Sequence, residues 1–557
     1  MSLGFYINEI TFNNGNTFSI ERDDIVVFVG PNNSGKSASI REINNLLQDN
    51  LRTNTIIVKK INIIREGEKD EIINLIETNS LIDKFNYIKG LSYDIYKPSL
   101  ENYINNFNKG LGTATNFFAN NLNTESRIIS SNPAKNIRVT QEPVQNPIHF
   151  LQKDDNLEKI LNTYFNQAFG TDLILHRLAG SEVPFYVGKT PDFEDGEDRA
   201  SRSYLEKLEK LDLLHEQGDG MRSFVGVILN SFVPYFRILF IDEPEAFLHP
   251  PQARLLGKML AKELSDNKQI FLSTHSEDFL KGLLETNSKR LKILRIERNG
   301  DINNISILNS SDIEVVWKDS ILRHSNILSG LFHSKVILCE SDSDCRLFSA
   351  ILSSIYEDSG NIVPDILFTH CGGKHRMPVV VKALRKLNVP VTVVADFDIL
   401  NNVNPLKDLY IDLGGNWDDV ENDWKLVKDE IDRKRPELQS KDLKEEIQKI
   451  FDSNSERIFP KEKIKLIENT LKKASAWSEA KKVGKSFIPN GNPSQAFERI
   501  QQKFKSLGLY ILEVGEAESF VKTVGNHGPK YVNEVLEKNL KTDPELELLR
   551  NFVEEII

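Results

Sequence analysis

Short, continuous apolar runs that end in polar residues recur along the chain, and this pattern predicts strands buried on both faces of parallel sheets. Stretches of helical periodicity separate the runs, as in chains that alternate strand and helix. The sequence therefore predicts an α/β protein with one sheet in its first half and a second, separate sheet after it. The runs lie at residues 24–30, 238–241, 269–273, 335–340, 365–370, 391–398 and 510–514.

The segments between the runs divide the chain into domains. Residues 48–190 are predicted to be a mostly helical insertion in the first domain, which spans residues 1–310. Residues 311–334 are predicted to form a helical connector to a second domain at 335–557, which charged helices at about 401–507 interrupt. Residues 292–297 and 302–308 flank Asn299-Gly300, a dipeptide typical of tight hairpins. No long heptad pattern indicates a coiled-coil arm.

Composition narrows the class of protein. The 557 residues are 39% hydrophobic and 27% charged, which is ordinary for a water-soluble globular protein of about two to four domains. Three cysteines in so long a chain indicate a reducing compartment, and no apolar run reaches the length of a membrane span. The predicted location is therefore the cytoplasm. A net charge of −11 excludes a uniformly basic surface, although a local basic groove stays compatible with it.

A glycine-rich loop follows the first buried run and leads into a helix. Its sequence, G-P-N-N-S-G-K-S, matches the phosphate-binding pattern G-x-x-x-x-G-K-[ST] in the strand–loop–helix context that the pattern requires. Its glycines let backbone amides curl around phosphate, its lysine reaches the β- and γ-phosphates, and its serine hydroxyl ligates Mg²⁺. The predicted ATP-binding residues here are Gly30, Asn33, Ser34, Gly35, Lys36 and Ser37.

Two carboxylates, Asp242 and Glu243, end the apolar run at 238–241, where open α/β sheets place ligand-handling groups. The whole string R-I-L-F-I-D-E-P-E-A-F-L-H-P resembles the Walker B motif and D-loop of ABC-type ATPases. The resemblance implies that Asp242 holds Mg²⁺ through water and that Glu243 orients the attacking water. His275, at the end of the next run, resembles the histidine of those ATPases that contacts the γ-phosphate.

A glycine-bounded turn, Q-G-D-G-M-R-S, stands where ABC-type ATPases carry their signature motif. It departs from the transporter sequence, because Asp219 takes the place of serine. The resemblance implies that Gly218, Gly220 and Ser223 cap the ATP of a partner subunit, and hence that the chain forms a homodimer or a larger homo-oligomer.

Carboxylates also end the strands predicted in the second domain. Glu340 follows one run, and Asp396 and Asp398 lie two residues apart at the end of another, where they share one face if the strand is still regular. Packed carboxylates raise one another's pKa unless a cation neutralises them. Hard oxygen ligands of this kind favour Mg²⁺ or Mn²⁺, and two such ions can promote phosphodiester cleavage.

The order of strand–Glu, strand–Gly-Gly and strand–Asp-x-Asp resembles the TOPRIM fold of topoisomerases, primases and OLD (overcoming lysogenization defect) nucleases. The resemblance adds Asp344, Glu516 and Glu518 to the metal-binding and catalytic residues, and it adds Lys530 as the lysine near the scissile phosphate. Ser341 departs from the pattern, since glycine is usual after the glutamate.

The full order of motifs resembles the OLD family, in which an ABC-type ATPase head precedes a Rossmann-like TOPRIM nuclease; the Gabija nuclease and retron-associated OLD-like effectors share this layout. The resemblance implies an ATP- and Mg²⁺- or Mn²⁺-dependent DNA endonuclease of antiphage defence. An ATP-gated DNA clamp with an inert TOPRIM domain and an RNA-directed nuclease are the alternatives. The lysine-dense residues 461–485 are either a DNA-backbone patch or a solvated helix face.

Overall fold

The computed structural model describes residues 3–91, 93–193, 196–263, 268–286, 289–300, 302–308, 317–318, 326–357, 359–434, 440–454, 458–472 and 476–557. The chain divides into two compact units, Met1–Lys318 and Asp319–Ile557. Most of the predicted connector at 311–334 lies outside the described residues, and so does the predicted end of the first domain at residue 310. Those domain limits stay predictions.

The first unit contains a large sheet and several small ones, with helices packed around them. Its strands are β1 (Gly4–Phe12), β2 (Thr17–Ser19), β3 (Ile25–Val29), β4 (Val58–Glu66), β5 (Leu81–Ile82), β6 (Tyr87–Gly90), β7 (Tyr93–Tyr96), β8 (Ala119–Leu122), β9 (Ala134–Lys135), β10 (Asp172–Leu175), β11 (Glu182–Val183), β12 (Phe185–Gly188), β13 (Asp212–Leu213), β14 (Ile238–Asp242), β15 (Gln269–Ser273), β16 (Leu291–Asn299) and β17 (Ile302–Leu308). Its α-helices are α1 (Lys36–Gln48), α2 (Lys69–Thr78), α3 (Lys97–Asn105), α4 (Thr115–Phe118), α5 (Thr124–Ser130), α6 (Ile148–Lys153), α7 (Asp155–Phe169), α8 (Arg202–Leu208), α9 (Asp219–Ser231), α10 (Pro250–Glu263) and α11 (Glu277–Leu284).

The large sheet of the first unit has the strand order β17-β16-β3-β15-β14-β8. All neighbours are parallel except β17, which pairs antiparallel with β16 and confirms the predicted hairpin. Every residue of β3 and β15 is buried, as their continuous apolar sequences predict. Because β3, β15 and β14 are adjacent and parallel, their carboxyl ends meet at one edge of the sheet.

The segment at 48–190 contains the predicted helices, and it also contributes strands to the head. β4 pairs antiparallel with β1 across two register irregularities, and β8 forms the edge of the large sheet beside β14. The residues of β8, A-N-N-L, carry neither an apolar run nor an alternation, so its position depends on pairing with β14 and not on local sequence. The segment therefore contains both helices and strands, and β4 and β8 pair with strands of the head.

The second unit is built on a parallel sheet with the strand order β19-β18-β20-β21. Its strands are β18 (Lys335–Cys339), β19 (Ile366–His370), β20 (Val391–Ala395) and β21 (Leu509–Ile511). Its α-helices are α12 (Asp342–Tyr356), α13 (Met377–Lys386), α14 (Val403–Asp412), α15 (Glu421–Arg433), α16 (Ser440–Asp452), α17 (Lys461–Lys472), α18 (Ala476–Val483), α19 (Asn492–Ser506), α20 (Pro529–Leu536) and α21 (Glu547–Ile556).

The helices predicted at 401–507 are confirmed as α14 to α19, which precede the last strand, β21. One hydrophobic core joins the sheet to α12, α20 and α21, with Leu347, Val535 and Val553 among its fully buried members. In the part of the chain that the structure describes, no helix is both long and apolar enough to cross a bilayer.

Candidate ATP and metal sites

The loop between β3 and α1 has the backbone that a phosphate cradle needs. Gly30 has φ +146°, and a Cβ there would lie 2.1 Å from the carbonyl oxygen of Ile296. Gly35 has φ +106°, and a Cβ there would lie 2.4 Å from Cδ1 of Ile57. Only glycine fits at these two positions. Asn33 also adopts a left-handed conformation, which asparagine tolerates better than most residues.

The side chains of the loop are arranged for an anion. Lys36 is 4% exposed, and its ammonium donates to the carbonyls of Gly30 (2.9 Å) and Pro31 (2.7 Å), so it lies against the loop itself. The hydroxyl of Ser34 is buried and has no hydrogen-bond partner among the described residues. Ser37 follows in the first turn of α1. An unpaired buried hydroxyl beside a lysine and a helix N-terminus fits the phosphates of a nucleotide.

Asp242 and Glu243 leave the sheet beside this loop, at the end of β14. The hydroxyl of Ser273, at the end of β15, donates to Oδ1 of Asp242. Glu243 has φ +48°, an uncommon conformation for a residue with a side chain, and its amide donates to the carbonyl of Ser273 (3.1 Å). The chain therefore turns sharply at Glu243, and local strain is held in place by the neighbouring strand.

His275 lies at the same edge of the sheet as the two carboxylates. Its Nε2 is 3.3 Å from Oε1 of Glu243. Glu245 fixes the main chain here, since its Oε1 accepts from the Thr274 hydroxyl (2.8 Å) and from the His275 amide (2.8 Å). Burial lowers the pKa of His275, and nearby Lys36 lowers it further. The imidazole is therefore biased towards its neutral form.

An arginine that no sequence motif marks, Arg127, lies beneath these groups. It is fully buried in α5, and its guanidinium donates to the carbonyls of Asp242 (2.6 Å) and Glu243 (3.1 Å) and to the Ser223 hydroxyl (3.1 Å). Burial lowers the pKa of Arg127, and the charge of Glu245 opposes that effect most strongly. Arg127 thus joins the start of α9 to the turn that follows β14.

The signature-like residues lie at the start of α9. Gly218 is the N-cap and is exposed, and a Cβ on Gly220 would lie 2.7 Å from the carbonyl oxygen of Phe247, so the turn packs closely on the segment after Glu243. Ser223 is fully buried, and its hydroxyl accepts the hydrogen bond from Arg127. Its placement departs from the predicted contact with a partner's nucleotide, because the side chain points into its own head.

In the second unit, Glu340, Asp396 and Asp398 form an acid cluster. Each offers one carboxylate oxygen, and these atoms lie within 4.8 Å of one another. The amide of Asp396 donates to Oε1 of Glu340 (3.2 Å). β20 ends at Ala395, and Asp396 caps a short 3₁₀ helix, Phe397–Asn401. The expectation of a regular strand through Asp398 is therefore wrong, and a helical turn brings the two aspartates together instead.

The acid cluster has the electrostatics and the unpaired oxygen of a cation site. Burial raises the pKa of Glu340, and Asp398 adds to this; burial and Glu340 likewise raise the pKa of Asp396. Oδ1 of Asp398 is buried and has no hydrogen-bond partner among the described residues. These three residues fit a hard divalent cation such as Mg²⁺ or Mn²⁺, which binds carboxylate oxygens and relieves their repulsion.

Glu516, Glu518 and His527 form a second group that could hold a metal ion, again with one ligand atom each inside 4.8 Å. The amide of Gly528 donates to Oε1 of Glu518 (2.8 Å). Burial and the charge of Glu518 raise the pKa of Glu516. The sequence predicted both glutamates but not His527, an exposed histidine in a loop that only the fold brings to them.

Comparison with known proteins agrees with both halves of this arrangement. Residues 331–398 match a family model described as "Overcoming lysogenization defect protein-like, TOPRIM domain", and residues 25–280 match one described as "AAA domain, putative AbiEii toxin, Type IV TA system". The Old nuclease of Escherichia phage P2 is 26% identical over 174 residues, which cover 30% of this chain and 28% of that protein. These matches support an OLD-family fusion of an ATPase and a TOPRIM domain.

Other similar proteins cover parts of this chain. An uncharacterized protein of Methanocaldococcus jannaschii is 34% identical over 97 residues, which cover 17% of this chain and 84% of that protein. The SMC head bound to the C-winged helix domain of ScpA aligns over 56% of this chain and 99% of its own length, with a TM-score of 0.34 and 11% identity. The SMC head domain from Thermotoga maritima aligns over 56% of this chain and 100% of its own length, with a TM-score of 0.27 and 12% identity.

The remaining predicted TOPRIM residues have separate environments. Ser341, which replaces the usual glycine, caps α12: its hydroxyl accepts from the Asp344 amide (3.2 Å), and its own amide donates to Oδ2 of Asp344 (2.9 Å). Burial raises the pKa of Asp344. Asp344 belongs to neither of the two groups described above. Lys530 is exposed near the start of α20 and forms no ion pair with either group among the described residues.

Two lysines that the sequence did not single out contact the acid cluster. The ammonium of Lys374 lies 2.5 Å from Oδ2 of Asp398, and that of Lys481 lies 2.7 Å from Oδ2 of Asp396. Lys374 follows Gly372-Gly373, and Lys481 lies within the lysine-dense segment at 461–485. That segment was predicted to be a DNA patch or a solvated face, and neither alternative places a lysine among the acids.

Proposed function

We propose that the chain is a metal-dependent endonuclease that cleaves DNA and is regulated by its ATPase head. The observation that carries the proposal is the acid cluster of Glu340, Asp396 and Asp398, with the raised pKa values of Glu340 and Asp396 and the unpaired Oδ1 of Asp398. An ABC-type ATPase head and a TOPRIM domain in one OLD-family chain support the same reaction.

The acid cluster and the second group together have the composition of a site for phosphodiester hydrolysis. Divalent cations bound there would lower the pKa of a water and neutralise the charge on the leaving oxygen. Glu340, Asp396 and Asp398 would hold one cation, and Glu516, Glu518 and His527 would hold another. The amide of Gly528 keeps the Glu518 carboxylate oriented towards the group. Lys530 lies two residues beyond Gly528, where a point charge suits a phosphate that is gaining negative charge.

The head supplies ATP binding and hydrolysis. Lys36 and the amides of residues 30–36 would bind the phosphates, and Ser37 and Asp242 would hold Mg²⁺. Glu243 accepts a hydrogen bond from the attacking water and acts as its general base. Neutral His275, whose Nε2 lies 3.3 Å from Oε1 of Glu243, donates a hydrogen bond to the γ-phosphate. Gly218 and Gly220 cap the nucleotide of a partner subunit, so that hydrolysis requires a homodimer or a higher homo-oligomer.

ATP serves as a regulator in this proposal. Hydrolysis of a phosphodiester is downhill in water, so the nuclease site needs a metal ion and geometry but no energy from ATP. ATP can shift a conformational equilibrium only by its differential affinity for the two states. The state in which two heads have closed over ATP would change the rate of cleavage. The setting that fits this chemistry is a cytoplasmic antiphage response, in which nucleotide levels control DNA cutting.

The decisive experiment compares substrates under defined cofactors. The purified chain is incubated with plasmid, linear duplex, single-stranded DNA and RNA, each with Mg²⁺ or Mn²⁺, with EDTA, and with or without ATP. The proposal predicts divalent-dependent cutting of DNA and an effect of ATP on its rate. ATP hydrolysis without cutting of any substrate would instead indicate a DNA clamp with an inert TOPRIM domain, and preferential cutting of RNA would indicate an RNA-directed nuclease.

A further inference from the structure

Lys481 places an ammonium group between the two groups of acidic residues. Its Nζ lies 2.7 Å from Oδ2 of Asp396 and 3.9 Å from Oε2 of Glu516. The first distance is that of a charge-assisted hydrogen bond. The lysine comes from α18, a helix of the segment at 401–507 that interrupts the TOPRIM sheet. A residue of this inserted segment therefore touches both groups.

Close backbone packing fixes α18 against the loop that carries Glu516. A Cβ on Gly515 would lie 2.1 Å from the carbonyl oxygen of Lys481, and a Cβ on Gly484 would lie 2.0 Å from the carbonyl oxygen of Glu513. The Lys485 amide also donates to the Glu513 carbonyl (2.9 Å). Two glycines thus allow a backbone approach that side chains would forbid.

α18 is also anchored in the inserted helices, one turn before Lys481. Trp477 is buried, and its indole N–H donates to Oδ1 of Asp432 on α15 (2.8 Å). The ammonium of Lys428, one turn away on α15, lies 5.5 Å from the centre of the Trp477 ring. Ala476 and Ala480 are buried on the same helix. The position of Lys481 is therefore set by a packed helix and not by a flexible side chain on a surface.

The charges at the site indicate that Lys481 neutralises a buried carboxylate. Asp396, Glu340 and Glu516 all have raised pKa values because burial disfavours their charged forms. Burial disfavours the ammonium of Lys481 as well, but the carboxylates of Asp396, Asp398 and Glu340 together outweigh that effect and raise the pKa of Lys481. The ammonium, 2.7 Å from Oδ2 of Asp396, is the internal counter-ion of that carboxylate. A divalent cation that uses Oδ2 of Asp396 must displace it.

We propose that Lys481 is an exchangeable counter-ion, which occupies Asp396 until a divalent cation binds and then contacts a phosphate oxygen of the nucleic acid. An ammonium released from Asp396 needs another anion, and the arriving phosphodiester is the anion at that place. Lys481 thereby weakens cation binding in the absence of substrate and strengthens substrate binding once the cation is in place. The inference rests on the proposed nuclease function, and it gives the inserted segment a direct part in the site.

Calorimetric titration of Mn²⁺ into the full chain without nucleic acid tests the exchange. Lys481→Met keeps most of the side-chain volume and removes the charge, so the affinity for Mn²⁺ should rise by about tenfold. Lys481→Arg keeps the charge and should stay close to the wild type. Lys482→Met is the matched control, because Lys482 is the exposed neighbour whose ammonium pairs with Glu479; its Mn²⁺ affinity should equal that of the wild type.

Cleavage at saturating Mn²⁺ tests the phosphate contact. Lys481→Met should raise the KM for duplex DNA by about tenfold or more, whereas loss of folding would lower its melting temperature and its ATP hydrolysis as well. Equal Mn²⁺ affinities of Lys481→Met and wild type would overturn the exchange, and an unchanged KM would overturn the phosphate contact. A wild type that binds no divalent cation and cuts nothing would refute the proposed nuclease itself, which distinguishes the two failures.

Discussion

The guanidinium of Arg127 donates to the main-chain carbonyl of Asp242 over 2.6 Å, inside a core from which water is excluded. A second nitrogen reaches the carbonyl of Glu243, and Nε reaches the hydroxyl of Ser223 at the start of α9. Glu243 has a left-handed backbone, so its orientation depends on the groups that hold the turn. Arg127 is therefore a positioning residue for the carboxylates and does not itself meet nucleotide.

Arg127→Met should uncouple ATP binding from hydrolysis. The substitution removes the Arg127 hydrogen bonds from the partly buried carbonyls of Asp242 and Glu243, at a cost of about 1–3 kcal/mol for each bond, and frees Glu243 to leave its strained conformation. ATP affinity should stay near the wild-type value while kcat falls at least tenfold. Ser223→Ala removes one acceptor only and should have a smaller effect. Calorimetry and steady-state hydrolysis measure the two quantities, and equal kcat values in Arg127→Met and wild type would exclude the positioning role.

Lys36→Ala should abolish ATP binding and leave the fold intact. Its ammonium already lies in the loop and donates to the carbonyls of Gly30 and Pro31. The phosphates of ATP would therefore bind a positive charge that is already in position. Lys60, an exposed lysine of β4, gives the control Lys60→Ala, which should bind ATP normally. Wild-type ATP affinity of Lys36→Ala in calorimetry would refute the phosphate-loop assignment.

Asp396→Ala should remove divalent-dependent cleavage and leave ATP hydrolysis largely unchanged, because the acid cluster loses the carboxylate that Lys481 now neutralises. EDTA should abolish DNA cleavage by the wild type in the same assay. Asp342→Ala is the control, since Asp342 is an exposed acid of α12 that pairs with Arg346. Cutting that persists in Asp396→Ala or in EDTA would point to a contaminating nuclease or to an inert TOPRIM domain.

Glu243→Gln should bind ATP, fail to hydrolyse it and hold the heads in their ATP-bound state. Cleavage by this variant should then be fixed at one extreme whenever ATP is present, and we expect that extreme to be inhibition. The measurement is nicking of plasmid by wild type and Glu243→Gln across an ATP titration. Two flat curves that superimpose would show that the head and the nuclease are independent.

Glu245→Gln should change how the stability of the head depends on pH. Oε2 of Glu245 is buried without a partner, and burial raises the pKa of Glu245 above its ordinary 4.5. A carboxyl with a raised folded-state pKa contributes stability that is fully present below pH about 4.5 and is lost as the pH rises through the folded-state value. Between pH 5 and pH 8 the melting temperature of the wild type should therefore fall relative to Glu245→Gln. Parallel melting profiles would contradict this.

Local sequence predicted the parts of this protein whose chemistry lies in consecutive residues. The buried strands β3, β14 and β15 follow from their apolar runs, and the ATP loop follows from a spacing that only glycine backbone conformations allow. The acids at the ends of β18 and β20 were found for the same reason. The helical turn that carries Asp396 and Asp398 was not predicted, because the point at which a strand ends depends on its pairing with neighbouring strands and not on its own residues.

The groups that sequence missed are all brought to their sites by distant packing. Arg127 stands in an ordinary helical sequence, and its partners Ser223 and Asp242 lie about a hundred residues away. Lys481 is one lysine among many, and only the close packing of its helix against the loop of Glu516, at Gly484 and Gly515, brings it to the acid cluster. His527 lies in an exposed loop with no ligand spacing around it. No local pattern distinguishes such residues from solvated ones.

The pairing of Ala395 with Ile511 in the last two strands of the second sheet also constrains how the protein is made. During synthesis β20 leaves the ribosome well before β21, and six helices must be translated between them. Until then the apolar strand Val391–Ala395 has an open edge, which invites pairing with other chains. Contacts between such distant residues also form slowly. A chain that stalls within the inserted helices therefore keeps this strand edge exposed, and the second sheet is completed only once residue 511 has been translated.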